Sequence, residues 1–288
     1  MRRFYLQDQD GQRQGLNGED GIRLGDPTGL GVNFSTSFMD LGEDHFRVSE
    51  RKVQQGQVVC TLTFVRAAYR RYRSFCDWCA AAEELYLVYM PYGEQEFLRR
   101  VEIEYLTKTE LGHGKWLSVP AAFKCLTPWY QATPTELALT VRTGPRKRYS
   151  FRYTEGLRYG GESAGDMSAQ IAPSGHLPSG LVLRYHGAIA EPSIRLTGLR
   201  SGKLYGLCAL GTSLGASDSL ELSTRKGDCH VHKIAADGTR TDLLEYVDLA
   251  HDPYPRAPVS EPSVIRIESA AAIAGSASLL VYSYYRTV

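Results

Sequence analysis

The sequence predicts a mainly β protein of two domains, the first an α+β domain with one helix laid on its sheet. Three observations predict it. Gly 28 and Pro 13 among 288 residues, with Tyr 18 against Phe 9, favour short strands joined by tight turns over long helices. Only residues 67–84 carry a helical apolar period. Beyond residue 144 strand-like segments recur at roughly even spacing, as in a β-sandwich. With 43% hydrophobic and 23% charged residues the chain can bury a core, and its length suits one large or two ordinary domains.

The elements follow in order. In residues 1–31 glycine recurs beside polar residues (Gly11, Gly15, Gly18, Gly21, Gly25, Gly29, Gly31), which predicts short strands such as 3–6 and 21–24 between turns. Residues 56–65 hold Val58, Val59, Thr61, Leu62, Thr63, Phe64 and Val65, a buried strand. In the helix 67–84, Tyr69, Tyr72, Cys76 and Cys79 form one apolar stripe, while Arg70, Arg71, Arg73 and Asp77 face elsewhere. Residues 85–90 form a strand ended by Pro91-Tyr92-Gly93. Residues 97–106 alternate, with Leu98, Val101, Ile103 and Tyr105 against Arg99, Arg100, Glu102 and Glu104, as in a half-buried strand. Gly112-His113-Gly114 turns the chain, and 116–125 returns as the partner strand before Pro128.

Residues 1–134 therefore read as the first domain, 135–144 as a linker and 145–288 as the second. Strands are expected there at 149–153, 181–187, 193–199, 204–210, 219–223, 229–235, 242–247, 263–269 and 278–285, with turns at Lys226-Gly227-Asp228 and Asp237-Gly238. The sequence leaves open whether the last strand completes the second domain or returns to the first.

Lys+Arg 33 against Asp+Glu 32 leaves a net charge of +1, without bias toward nucleic acid or an anionic membrane. Gln7, Asp8, Gln9 and Asp10 stand where a signal peptide needs an apolar run. The least polar stretch, 270–282, is interrupted by Gly275, Ser276 and Ser278 and is too short to span a bilayer. A soluble protein with no membrane insertion and no sequence-specific nucleic-acid partner is expected. Cys60, Cys76, Cys79, Cys125, Cys208 and Cys229 are spread along a chain far larger than disulfide-stapled domains, and reduced thiols are expected.

The motifs that suggest chemistry are weak. Gly161-Glu162-Ser163-Ala164-Gly165 is a G-x-S-x-G that resembles the carboxylesterase elbow and would make Ser163 a hydrolase nucleophile. It lacks a helix after the serine, and the repeat Gly211-Thr212-Ser213-Leu214-Gly215 shows how easily such a chain makes the pattern. Cys76-Asp77-Trp78-Cys79 lies mid-helix, where a redox pair would need the helix N-terminus, and reads as buried small hydrophobes. His230 and His232 share one strand face, a geometry open to a metal, but read as solvent-facing without a clustered third ligand. Arg66, Arg70, Arg71 and Arg73, interleaved with Tyr69 and Tyr72, read as a solvated or subunit-facing side, and Arg146-Lys147-Arg148 as exposed linker. No P-loop or dinucleotide motif is present. No catalytic, metal or cofactor-binding residue is assigned, no cofactor is expected, and the sequence names no interaction surface.

The turn Gly29-Leu30-Gly31, the strand 56–65 leading into the helix, the strand 85–91 and above all Phe123-Lys124-Cys125-Leu126-Thr127-Pro128-Trp129-Tyr130 resemble the N-terminal domain of siphophage distal tail proteins. That last segment is similar to the F-x-C-x-x-P-aromatic-aromatic close of the family's hairpin. Residues 180–187 and Glu191-Pro192-Ser193-Ile194-Arg195-Leu196 resemble the start of the family's C-terminal galectin-like sandwich. The resemblance implies a split-barrel, ring-forming belt domain followed by a galectin-like β-sandwich. It implies a non-enzymatic virion protein of the tail tip or baseplate, made in the host cytoplasm. Its homo-hexameric ring would join the tail tube to the baseplate and leave a channel for DNA. The implied partners are the major tail tube protein, the tail-associated hub and other baseplate proteins, and the tape measure protein. Strands 56–65 and 97–106 are the expected places for subunits to pair or pack. The alternative is a carbohydrate-binding sandwich for host-surface adhesion. Because Trp78, Trp116 and Trp129 all lie in the first half, its aromatic platforms would be Tyr185, Tyr205 and Tyr254. A docking platform for other baseplate proteins is the preferred reading of that domain, and a Ser163 hydrolase ranks third.

Overall fold

A computed structural model describes residues 2–92, 95–112, 114–136, 138–140, 166–172, 174–269, 271 and 273–288. The chain divides into two compact units, Met1–Gln131 with Tyr285–Val288, and Ala132–Tyr284. No helix among the described residues is long and apolar enough to cross a membrane.

The first unit runs β1 (Arg3–Asp8), β2 (Arg13–Gly15), β3 (Ile22–Thr28), β4 (Phe34–Asp40), β5 (Phe46–Val53), β6 (Gln57–Phe64), α1 (Ala68–Ala81), β7 (Leu85–Met90), β8 (Phe97–Leu106), β9 (Leu117–Cys125) and the start of β10 (Trp129–Glu136). Its main sheet has the order β2-β1-β7-β8-β9-β6-β3, antiparallel throughout, and β10 joins β8 through Tyr130 and Leu98. A bond from Leu24 N to Leu16 O and the bridge Asn17–Arg23 link the two ends of that order. Leu6, Val58, Leu62, Phe64, Leu87, Leu117, Val119, Phe123 and Trp129 are fully buried in its core.

The helix packs its Phe75 and Tyr72 rings edge-on to Phe64, with centroids 5.7 and 5.5 Å apart. Its buried residues are Ala68, Phe75 and Cys79, with Tyr72 partly covered. This corrects the expected stripe. The helix is rotated so that the wholly apolar Phe75 enters the core, while Tyr69 stays exposed and donates its hydroxyl to Glu110.

In β8 the inward row is Phe97, Arg99 and Val101, so Arg99, expected outward, is buried. Its Nε donates to Thr127 O at 2.8 Å, and its guanidinium lies 5.5 Å from the Trp129 ring centre. A bulge between Ile103 and Tyr105 then turns Tyr105 outward. Both strands expected to pair across subunits are interior: β6 lies between β3 and β9, and β8 between β7 and β9. Their backbone groups are consumed within the chain.

The second unit contains β11 (Ala138–Thr140), β12 (Asp166–Ile171), β13 (Leu177–Ala188), β14 (Ser193–Gly198), β15 (Leu204–Ala209), β16 (Ser219–Arg225), β17 (Asp228–Ile234), β18 (Arg240–Asp242), β19 (Ser263–Glu268) and β20 (Ala274–Tyr285). One sheet has the order β11-β12-β19-β14-β15, and β20-β13-β16-β17-β18 forms the other face. Leu181, Leu183, Tyr185, Leu220, Leu222 and Val231 from one sheet share a core with Ile194, Leu196, Ile265 and Ile267 from the other, as in a sandwich.

The segment expected as linker carries strand at Thr135, Glu136 and Ala138–Thr140. The strand expected at 242–247 is instead the end of β18 and a 3-10 turn, Leu244–Tyr246. Asp242 Oδ1 accepts from Leu244 N at 2.9 Å, a side-chain turn that stops the ladder. The final strand serves both units, since β20 belongs to the sandwich up to Tyr284, whereas Tyr285 packs edge-on to Phe97 at 5.1 Å in the first unit. The expected strand 149–153, His113, Arg146-Lys147-Arg148 and Ser163 lie outside the described residues.

Candidate interaction surface

Between β3 and β6 the chain leaves the core and makes a hairpin. Its base is tightly held. Gly29 has φ +81°, and a Cβ there would sit 1.8 Å from Gln57 O, so only glycine passes this crossing. The next residue offers its carbonyl, Leu30 O, to the indole Nε1 of the fully buried Trp129 at 2.9 Å. The early glycine turn and the closing aromatic motif, 99 residues apart in sequence, thus form one anchor. Gln54 N to Asn33 O, 2.9 Å, ties the two legs together.

Beyond that anchor β4 and β5 pair, among the described residues, only with each other, with a bulge between Ser37 and Phe38. Leu41 N to His45 O and His45 N to Gly42 O close the tip, and Asp40 Oδ1 accepts from Gly42 N. All eight residues of β5 are exposed, and in β4 only Thr36 is half-covered. Phe38 and Phe46 are 62% and 64% exposed, and Phe34, Met39, Leu41, Val48 and Val53 are also bare. An isolated two-stranded hairpin is marginal in water, and contiguous exposed apolar residues mark a surface meant to be covered. Among the described residues no strand pairs with its outer edges. Arg47, Arg51, Lys52, Glu43, Asp44 and Glu50 place both signs of charge among the apolar residues.

The sequence missed this surface. Its apolar residues follow neither a two-residue nor a helical period, because the bulge shifts the alternation and no buried face imposes one. The available signal was apolar residues on both sides of Leu41-Gly42-Glu43-Asp44, a turn-forming tip.

The other singled-out residues do not converge. Cys79 is buried, and burial, with the neighbouring Cys76, pushes its thiol up to about 12. Burial does the same to Cys60 and Cys208, and all six cysteines are free. Arg71 Nε donates to Arg66 O at 2.9 Å and its Nη1 bonds Asp20 O, so this arginine holds turns together. Ser213 is exposed in the loop between β15 and β16 with no helix after it. Tyr185 is buried with its hydroxyl on Ala188 O, Tyr205 donates to Glu261, and Tyr254 is half-buried, so none is an open platform. His230 and His232 stack at 4.3 Å, and His230 bridges Asp228 and Glu221 rather than facing solvent. Among the described residues no three His, Cys, Asp or Glu side chains form a metal-holding group.

A β-rich scaffold with one helix, an anchored but uncovered apolar hairpin and a sandwich defines a structural assembly module. Residues 3–126, most of the first unit, match the family described as "Distal tail protein, N-terminal domain", a family of phage tail-tip and baseplate components. No curated protein matches the chain. Among solved structures it is similar to a chain of the phage P2 baseplate in its activated conformation with calcium, at TM-score 0.66 and 14% identity over 100% of both chains. A chain of the same baseplate with strontium gives TM-score 0.67 and 15% identity, again over 100% of both. The SPP1 Dit protein, described as a hub of the adsorption apparatus in phages infecting Gram-positive hosts, gives 0.60 and 9% over 97% of this chain and 98% of that one.

Proposed function

We propose that this protein is a ring-forming hub subunit, assembling as a homo-hexamer through its first unit between the tail tube and the baseplate and leaving a channel for DNA. The observation that carries the reading is the β4–β5 hairpin, which is anchored at its base yet, among the described residues, pairs its strands only with each other and leaves its apolar side chains exposed. A closed homo-oligomer supplies each copy's unsatisfied surface from its neighbour, and a second copy of this chain is the occupant proposed. The mixed charge of the hairpin fits an identical partner better than a uniformly charged one. The galectin-like second unit then serves as a platform for the tail-associated hub and other baseplate proteins, with the tube and tape measure proteins meeting the ring along its axis. No chemical step belongs to this reading, so catalysis is not proposed.

The test is the solution mass of the full chain by light scattering, with negative-stain images, beside the double variant Phe38→Ser, Phe46→Ser. A hexamer mass with annular particles is expected for the parent, and a monomer with unchanged melting for the variant. A parent that stays monomeric at high concentration, or a variant that still forms rings, overturns the hairpin-closed ring.

A further inference from the structure

The outward face of the β20-β13-β16-β17-β18 sheet carries a polar row. Strand register sets Ser278, Arg184, Glu221, His232 and Asp242 side by side across five strands. Glu221 and Ser223 point away from the core residues Leu220 and Leu222, yet are only 4% and 1% exposed. Outward side chains that deeply covered define the floor of a groove. Arg184 Nε donates to Glu221 Oε2 at 2.5 Å, and His230 contacts Glu221 Oε1 at 3.2 Å and Asp228 Oδ1 at 2.9 Å. Burial acts to raise the Glu221 carboxyl, but the bonds and charges of Arg184 and His230 outweigh it and hold it below its ordinary range. Glu221 is therefore a fixed anion that positions the Arg184 guanidinium, whose side chain remains 65% exposed.

Two adjoining hollows, of about 520 and 350 Å³, share Arg184, Glu221 and Ser278. Their rims add the hydroxyls of Ser219 and Ser276, and the Tyr282 ring with the Arg225 guanidinium 4.7 Å from its centre. Three arginines (Arg184, Arg225, Arg240) and three carboxylates (Glu136, Glu221, Asp228) line the combined groove. With no net charge it gives no advantage to a polyanion or polycation. It is open, and its lining mixes polar groups with apolar ones such as Ile234, Val182 and Tyr282, which suits a ligand with both hydroxyl groups and apolar faces better than a wholly apolar one. Prepositioned donors and acceptors of both kinds in an elongated groove match a chain of neutral hydroxyl groups.

We propose that this groove, centred on Arg184 and Glu221, binds a neutral oligosaccharide. Arg184 is the direct donor, with Ser276 and Ser278 on the rim, while Glu221 and His230 are positioning residues. This site is independent of the hairpin and of ring formation.

The test applies the full chain to an array of neutral and phosphorylated oligosaccharides and titrates the strongest neutral probe by calorimetry. Ser278→Trp fills the groove from an exposed position on the strand beside Arg184, and Arg184→Met removes the donor. Each is expected to weaken binding at least about tenfold, a change of roughly 1.4 kcal/mol, with the melting temperature of Ser278→Trp unchanged. Absence of binding to every neutral probe, binding confined to phosphorylated probes, or affinity indifferent to Ser278→Trp overturns the proposal.

Discussion

Strands β4 and β6 stand close in sequence and use similar residues, yet Phe38 is 62% exposed and Phe64 is fully buried. The difference is topological. β6 has a ladder on both edges and α1 across one face, whereas β4, among the described residues, has one partner strand and no covering layer. Apolar side chains in β6 stabilise the monomer, while those in β4 can stabilise only something that the monomer joins. Composition does not distinguish the two roles, and substitution does.

The largest effect is expected at the anchor between the two regions. Trp129→Ala empties the centre of the first core, frees Leu30 O and strips the ring from beside Arg99, and should cost about 3–5 kcal/mol in denaturant unfolding. Phe46→Ala, in an equally apolar but bare position, should stay within about 0.5 kcal/mol for the monomer. Equal losses at the two sites would erase the distinction between core and docking surface.

The helix offers a smaller version of the same contrast. Phe75→Ala should cost about 3 kcal/mol, whereas Tyr69→Ala, which loses a surface bond to Glu110, should cost under about 1 kcal/mol by thermal unfolding. A reversed order would restore the stripe that the sequence suggested.

What could be read in advance follows the same division. β7 and β8 match their expected bounds because Pro91 ends one and polar alternation marks the other, and α1 carried the one helical period. Inside those elements, facing failed where a polar residue had a partner distant in sequence. Arg99 points inward because Thr127 O and the Trp129 ring receive it, a pairing that no local period encodes. The hairpin escaped notice because burial, the source of period, is absent there. The sandwich groove escaped because Arg184, Glu221 and His232 become neighbours only through register across three strands. His230 and His232 were legible as a pair, but not the carboxylates that hold His230.

A turn in the sandwich sharpens the contrast by pH. Glu261 accepts from Arg200 N and Ser201 N at 3.0 Å each, from Ser201 Oγ at 2.5 Å and from Tyr205 Oη at 2.6 Å. The Ser201 hydroxyl first, then Tyr205 and the Ser201 and Arg200 amides, pull its carboxyl from an ordinary 4.5 to about 2. A carboxyl depressed on folding contributes stability that is complete above its unfolded value and drains as pH falls toward its folded one. Melting temperature should therefore fall between about pH 4.5 and 2, and Glu261→Gln should flatten that part of the profile. Superimposable profiles for parent and variant would show that the turn is held by other means.

The smallest effect belongs to the hairpin itself. The Arg51 guanidinium lies 4.1 Å from the centre of the Phe34 ring, a local contact across the ladder's anchored end. In a free chain such an exposed cation–π contact is worth roughly 0.5–1 kcal/mol, so Arg51→Gln should speed amide exchange in β4 and β5 about two- to fivefold. Amides of β6, protected by ladders on both sides, should not change. If a neighbouring copy covers the hairpin on assembly, as proposed, opening requires leaving the interface, and the Arg51 effect should disappear. Exchange that is equally fast in free and assembled protein would mean that the hairpin stays bare in the particle, and that the ring is closed by another surface.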